Sequence, residues 1–403
     1  MRDKKRKRVL ILMDMPLFPY RIYAYNELAE RGYDLTVVSI ETGKADFPVR
    51  KDFEHIALRK KTYGGFVKVP GLTSVDYNAY EVIVLALNMR YVDFYPLLFG
   101  KLHNRVIGWG HMKGQTSGNA LSQWLRKRVA GIIPALIFYD YQTREEYIRE
   151  GFPMEKLFVA NNTQYVDPTT VDMTRKREYF LYVGRIQERK GIDLAIQAFA
   201  QLVKNEASGN TSFKIVGGGE KAVLEQMVKD LGVSGFVEFV GPVHDEKKLG
   251  ELYSGALAYV SPGHVGLGVL HSFAFGVPVL TCKDRKHSVE YNNCSEENSY
   301  LTYYDVENVA KAMMEVLQDK AKWQTKSKNA YEYYNNYCTI EKMVDGIDEA
   351  LKHLLKKLEA GSAAENLKNT PPHYVRFSDE WLRVNGYSGG YSYCGLKEWR
   401  AAA

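Results

Sequence analysis

Three short segments carry residues whose type and spacing suit the binding of an anion. In Tyr182-Val183-Gly184-Arg185, followed by Gln187, Arg189, Lys190 and Gly191, an apolar run ends, Gly184 lets the chain turn, and Arg185 and Lys190 flank a helix start. The unpaired N–H groups and macrodipole of a helix N-terminus attract anions. Two cations beside such a terminus suit a diphosphate; an exposed basic turn is the alternative. Gly217-Gly218-Gly219 directly follows the apolar run Phe213–Val216. Adjacent glycines open backbone conformations closed to other residues and let a ligand approach closely, which makes Gly218 a contact candidate. The run is neither a GxGxxG fingerprint nor a P-loop, and a plain strand–helix turn reads equally well. The third segment, Ser261-Pro262-Gly263-His264-Val265-Gly266-Leu267-Gly268, leads into a helix that contains His271. Such a loop can cradle a phosphate or a hydroxyl group through its amides. His271 is a binding candidate there, or a core or capping histidine.

The elements that must position these segments alternate between strand and helix. In the first half, Val9–Asp14, Leu35–Ile40, Val82–Leu87, Arg105–Trp109, Leu136–Tyr139 and Leu157–Ala160 read as strands. Residues 41–80 read as irregular. Thr143, with Glu146 three residues on, reads as a capping box opening a helix from Arg144 to Glu150. In the second half, Phe180–Val183, Phe213–Val216, Val237–Val240, Ala256–Val260 and Val277–Leu280 are the expected strands. This pattern predicts the α/β class, with two Rossmann-like domains of mostly parallel sheet facing each other across a cleft. The expected domains are 1–166 and 167–335. An amphipathic helix over 336–357 packs back on the first domain, and a tail of unassigned role covers 358–403. Ligands in such sheets bind beyond the carboxyl ends of the strands, which is where all three segments lie.

Composition narrows the function classes. The 403 residues are 45% hydrophobic and 25% charged, as in a soluble globular protein. The longest apolar stretches, Val82–Leu87 and Ile132–Tyr139, fall well short of the roughly 20 residues a membrane span requires. The basic N-terminus precedes too short an apolar run for a signal peptide, so a cytoplasmic protein is expected. Cys282, Cys294, Cys338 and Cys394 show no CxxC spacing, which argues against a zinc site or a disulfide framework. The net charge of +6 is mild. Basic clusters at Arg2–Arg8, Arg59–Lys61 and Arg126–Arg128 suit either an anionic membrane surface or a solvated face. Nothing organises base stacking or groove reading, so nucleic acid is not an expected partner.

Taken together, the strand with Gly-Arg and Lys-Gly, then "IVGGG", "FVEFVGPV" and "SPGHVGLGVLHSFAFGVPV", resemble the C-terminal domain of glycosyltransferase family 4. "GWGHMKG" and "TREEYIREGFPMEKLFVANNT" extend the likeness to roughly residues 8–355. The resemblance implies the GT-B fold and retaining transfer from a UDP- or GDP-linked sugar, with no metal required and no cofactor besides that donor substrate. It casts Arg185 and Lys190 as the cations on the donor diphosphate and the backbone of Gly266 and Leu267 as a wall of the donor site. It places Gly241–Val243 beside the nucleobase, and His111 at the reacting sugar. Gly268 begins the helix expected to share in stabilising the leaving group. A glycan or lipid-linked acceptor of bacterial cell-surface polysaccharide synthesis is the family-based expectation, with a peripheral site on the inner membrane face. Arg21 and Arg90 follow predicted strands and are acceptor-side candidates, with surface ion pairing as the other reading. The family often has two glutamates eight positions apart, and Gly263 and His271 stand in their places here. That departure keeps a catalytically silent nucleotide-sugar-binding partner in view, and behind it a nucleotide-sugar epimerase.

Overall fold

Branched aliphatic runs bounded by glycine and polar turns build two wholly parallel sheets. Their pairing is seen in a computed structural model that describes residues 6–41, 49–110 and 120–361. The chain divides into two units, at Tyr165/Val166 and again at Asn335/Asn336, so that the last helix belongs with the first unit.

The first unit runs β1 (Lys7–Leu12), α1 (Pro19–Glu30), β2 (Tyr33–Ile40), β3 (Glu54–Leu58), β4 (Lys61–Tyr63) and β5 (Phe66–Lys68). It continues with β6 (Val82–Ala86), α2 (Tyr95–Phe99), β7 (Val106–Trp109), α3 (Ala120–Ile132), β8 (Ala135–Phe138), α4 (Tyr141–Arg149) and β9 (Leu157–Val159). Its seven-stranded sheet has the order β3-β2-β1-β6-β7-β8-β9. Alternate side chains go to opposite faces: Val9, Ile11 and Val84 to one core, Leu10, Leu12 and Ile83 to the other. Both faces are covered, so the strands are apolar throughout rather than alternating.

The second unit runs β10 (Tyr179–Val183), α5 (Ile192–Lys204), β11 (Ser212–Val216), α6 (Ala222–Asp230), β12 (Val237–Gly241) and α7 (Glu246–Ser254). It continues with β13 (Ala256–Val260), α8 (Gly268–Ala274), β14 (Val279–Cys282), β15 (Ser299–Thr302), α9 (Val306–Gln318) and α10 (Lys320–Tyr337). Its sheet has the order β12-β11-β10-β13-β14-β15. The final helix, α11 (Ile340–Gly361), buries Met343, Val344, Ile347, Leu351 and Leu354 in the first unit's core.

Three local expectations need correcting. The stretch 41–80 contains β3, which extends the first sheet by pairing Thr36–Ile40 with Glu54–Leu58. Its half-exposed, mixed side chains hid it, and polar ties such as Thr36 Oγ1 to Glu54 Oε2 (2.8 Å) hold it. The capping box is not used: Asp140 caps α4, accepting from the Thr143 N–H at 2.8 Å, and the Thr143 hydroxyl donates to the same carboxylate at 2.7 Å. The carboxylate outcompetes the hydroxyl as an acceptor and starts the helix earlier. The helix expected to end at 357 continues as α11 to Gly361, into the stretch expected as tail.

Gly346 shows how closely α11 is seated, because a Cβ there would lie 1.8 Å from the Val159 carbonyl oxygen. Gly346→Ala should therefore destabilise the protein by about 1–3 kcal/mol despite its better helix propensity. A lowered urea midpoint checks this; an unchanged or raised midpoint would contradict the packing.

Candidate functional site

The order of the second sheet reverses between β10 and β13. Ligands bind at such switch points, and the loops leaving these two strands are the segments with Gly184–Lys190 and Ser261–Leu267. Past the end of β10 the backbone keeps pairing: the Gly184 N–H donates to Val216 O and the Ile186 N–H to Gly218 O, both at 2.9 Å. One strand further, the Gly217 N–H donates to Gly241 O at 2.9 Å. A Cβ at Gly217 would lie 1.8 Å from the Gly184 oxygen, and one at Gly219 2.4 Å from the Ile186 oxygen. These two glycines are therefore demanded by neighbouring backbone. Gly218 is exposed and would meet nothing within 4 Å, so it alone of the three faces open space.

Two buried phenols fix the turn after β10. The Tyr182 hydroxyl donates to Arg185 O at 2.7 Å, and that of Tyr259 to Val183 O at 3.3 Å. The Arg185 side chain is exposed and makes no hydrogen bond or ion pair among the described residues. Lys190 closes a short 3-10 turn, and Gly191, at φ 67°, starts α5. The turn is clamped to the β13 loop: the Gly263 N–H donates to Lys190 O at 2.9 Å, and the His264 N–H to Arg189 O at 2.7 Å. The Lys190 ammonium, half-buried, donates back to the His264 carbonyl oxygen at 2.7 Å. Burial, reinforced by Arg189, brings its pKa down to about 8 against the attraction of Glu290.

This clamp explains the first departure from the glutamate pair. A Cβ at Gly263 would lie 2.2 Å from the Arg189 carbonyl oxygen, so no side chain fits. At the second position, His271 stacks on Tyr253 with ring centroids 4.4 Å apart, and burial lowers its pKa to about 3. It is a neutral packing histidine. Gly268 is likewise a packing requirement, since a Cβ would lie 2.5 Å from the Tyr259 hydroxyl, and the helix it opens has only seven residues. Gly266 has a different setting: the only atom near its absent Cβ is Ser288 Oγ, at 3.7 Å. Leu267 is half-buried beside it, and Val243, half-buried, follows Gly241 at the end of β12.

Several residues at this edge were not singled out from sequence. His264 meets Lys190 through its carbonyl oxygen and Arg189 through its ring, with Nδ1 3.2 Å from Arg189 Nη1; burial first, then Lys190 and Arg189, lowers its pKa to about 4. His287 joins the Val265 N–H (3.2 Å) to the Cys282 carbonyl oxygen (2.6 Å), and the Ser288 hydroxyl donates to Val265 O at 2.9 Å. Glu290 is buried against Ser288. A polar run after strand Val277–Leu280 was the available signal, because it too lies beyond a strand's carboxyl end.

In the first unit the sheet order reverses between β1 and β6. There the Asn88 amide donates to Asp14 Oδ2 at 2.9 Å and the Tyr91 hydroxyl to Asp14 O at 2.6 Å. Arg21 is no surface ion-pair residue. It is buried under Trp109, Tyr139 and Tyr20, and donates to Asn162 Oδ1 at 2.7 Å and Met343 Sδ at 3.3 Å. The small hollow at this edge is lined by Asp14, Arg21, Trp109 and Tyr139. Arg90 is exposed and donates to Gly65 O at 2.6 Å, with no ion pair among the described residues. His111 lies outside the described residues. A hollow of about 1270 Å³ lined by Lys7, Glu81, Arg105 and Lys156 opens at the opposite end of the strands, away from every loop discussed.

Two parallel Rossmann-like halves of this kind define the GT-B fold, and solved glycosyltransferases share it. The glycosyltransferase from Rickettsia africae aligns with a TM-score of 0.65 at 11% identity, covering 87% of this chain and 99% of that one. The Anabaena protein HepE, solved in complex with UDP, aligns at 0.61 and 14% identity, covering 86% and 99%. Residues 171–334, nearly the whole of the second unit, match the model of the family described as "Glycosyl transferases group 1". An uncharacterized glycosyltransferase of Haemophilus influenzae is 24% identical over 63% of this chain and 73% of its own length. The lipopolysaccharide core biosynthesis glycosyltransferase LpsE of Rhizobium meliloti is 29% identical over 45% of this chain and 58% of its own. A D-inositol 3-phosphate glycosyltransferase of Frankia alni is 34% identical, but the chain spans only 29% of its length.

Two outcomes follow from the clamp. A bound diphosphate would raise the lowered Lys190 pKa again, so at about pH 9 binding takes up a fraction of a proton approaching one, and affinity falls as pH rises through about 8. Calorimetry with UDP or GDP at about pH 9 in buffers of different ionisation enthalpy checks this; proton release, or no proton exchange, would contradict it. Gly263→Glu should weaken nucleotide binding rather than improve it, because the new Cβ displaces the 189–190 turn.

Proposed function

We propose that the protein is a retaining, metal-independent glycosyltransferase that moves a sugar from a UDP- or GDP-linked donor to a glycan or lipid-linked acceptor in bacterial cell-surface polysaccharide synthesis. The observation that carries this reading is that one loop at the switch point of the second sheet carries both the exposed Arg185 and the partly desolvated Lys190. Breaking the bond between sugar and diphosphate leaves negative charge on the departing nucleotide. Arg185 and Lys190 meet that charge where a divalent ion does so in other transferases, while Gly218 and the Gly266–Leu267 backbone leave room for the ligand. UDP in the Anabaena structure and the lipopolysaccharide role in the name of the Rhizobium relative support the donor and acceptor classes. We place the protein in the cytoplasm, peripheral to the inner membrane face, and His111, Arg21 and Arg90 on the acceptor side. The burial of Arg21 makes its part there one of shaping the hollow.

A second reading is favoured by the lack of any carboxylate at positions 263 and 271: a silent partner that binds nucleotide-sugar without turning it over. Incubation with a panel of nucleotide-sugars separates the two. Transfer or slow hydrolysis of one donor with the anomeric configuration kept, insensitive to EDTA, is the expected result. Arg185→Ala and Lys190→Ala should each lower kcat by about 100- to 1000-fold, as removing a charge-stabilising donor does. Binding without turnover would establish the silent partner, and full turnover in both variants would refute the assignment of the cations.

A further inference from the structure

The hairpin β4–β5 is built opposite to a water-facing surface element. Its strands pair Tyr63 with Phe66 and Lys61 with Lys68, joined by Gly64-Gly65 at φ 51° and 97°. A two-glycine turn of this hand closes a tight hairpin. Val67 is its anchor: the side chain is buried, and the N–H donates to Arg90 O at 2.7 Å. Alternation then turns Lys61, Tyr63, Phe66 and Lys68 outward together. Tyr63 is 59% and Phe66 55% exposed. Two ammonium groups opposite each other on a ladder repel, and no ion pair among the described residues involves Lys60, Lys61, Lys68 or Arg90. The Arg90 guanidinium holds the tip through the Gly65 carbonyl at 2.6 Å. Only Arg59 in this group is matched, by Glu41 at 2.8 Å.

We propose that this hairpin docks on an anionic lipid surface, its two rings entering the headgroup region and its cations meeting lipid phosphates. Aromatic rings belong at that depth, and charge complementarity selects anionic lipid over neutral lipid. The hairpin leaves the carboxyl end of β3 and rests on the segment after β6. It therefore stands at the same edge of the first sheet as the Asp14–Arg21–Tyr139 hollow and would bring that edge to the bilayer. No helix among the described residues is long and apolar enough to cross a membrane, so this contact would be peripheral. The inference deepens the proposed function by resting on an acceptor that comes from a membrane, yet its test does not involve turnover.

The experiment is flotation of the full chain with vesicles of phosphatidylcholine alone or mixed with phosphatidylglycerol, at low and high salt. The wild type should float with the anionic vesicles only, and less so in high salt. Tyr63→Ser/Phe66→Ser should lose the vesicles. Lys61→Gln/Lys68→Gln should partition about thirty-fold more weakly, from about 1 kcal/mol per basic residue. Nucleotide binding should be unchanged in both. Tyr63→Trp, a change that leaves the hairpin otherwise intact, should shift its emission to the blue on anionic vesicles. No flotation of the wild type, or wild-type flotation of both double variants, would overturn the proposal. So would a Tyr63→Trp emission that moves with lipid-free dextran sulfate but not with vesicles, which would assign the face to a soluble acidic polymer. Vesicle binding by a wild type that binds no nucleotide would reject the proposed function and leave the docking standing.

Discussion

The second unit's switch point is organised around a lysine whose charge is partly desolvated and whose direct hydrogen-bond partner is a carbonyl oxygen rather than a carboxylate. The Lys190 ammonium gives a hydrogen bond to His264 O but remains short of charge compensation, which is why its pKa falls to about 8 even with Glu290 nearby. An uncompensated, part-buried cation is costly in a resting protein. It becomes useful when an anion completes the site, because the low local dielectric then strengthens the pairing. Lys190 is held in place by backbone on both sides, while Arg185, on the same loop, is exposed.

That holding depends on glycines that let backbone touch backbone. Gly217 and Gly219 continue the ladder beyond the strand ends, and Gly263 lets the β13 loop pair with the 189–190 turn. The same contacts that fix Lys190 leave no room for a side chain at 263. The absence of a side chain at 263 and the rigidity of the lysine clamp are thus one structural fact.

Much of the architecture was legible because buried parallel strands are continuous apolar runs and the helices between them carry a single apolar face. α11 was readable from Met343, Val344, Ile347 and Leu351 alone. β3 was not, because an edge strand with one solvated side has no such run, and its Glu54 and His55 look like loop. The start of α4 was missed because Asp140 and Thr143 both carry cap-forming oxygens, and only the structure shows which accepts. At the site, the three loops were legible from glycine and charge at strand ends. The distinct jobs of the three glycines at 217–219 were not, since sequence cannot say which neighbour's backbone approaches. Arg21 misled for a related reason: an arginine after a strand looks solvated until Trp109 and Tyr139, far off in sequence, close over it.

A crystal structure of the protein with UDP or GDP bound would show whether Lys190 and Arg185 grip a pyrophosphate at the switch point of the second sheet. Diphosphate oxygens are expected within hydrogen-bonding distance of the Lys190 ammonium and the Arg185 guanidinium, with the Gly218 and Gly266 backbone alongside. A nucleotide seated elsewhere, with both cations turned to solvent, would contradict it.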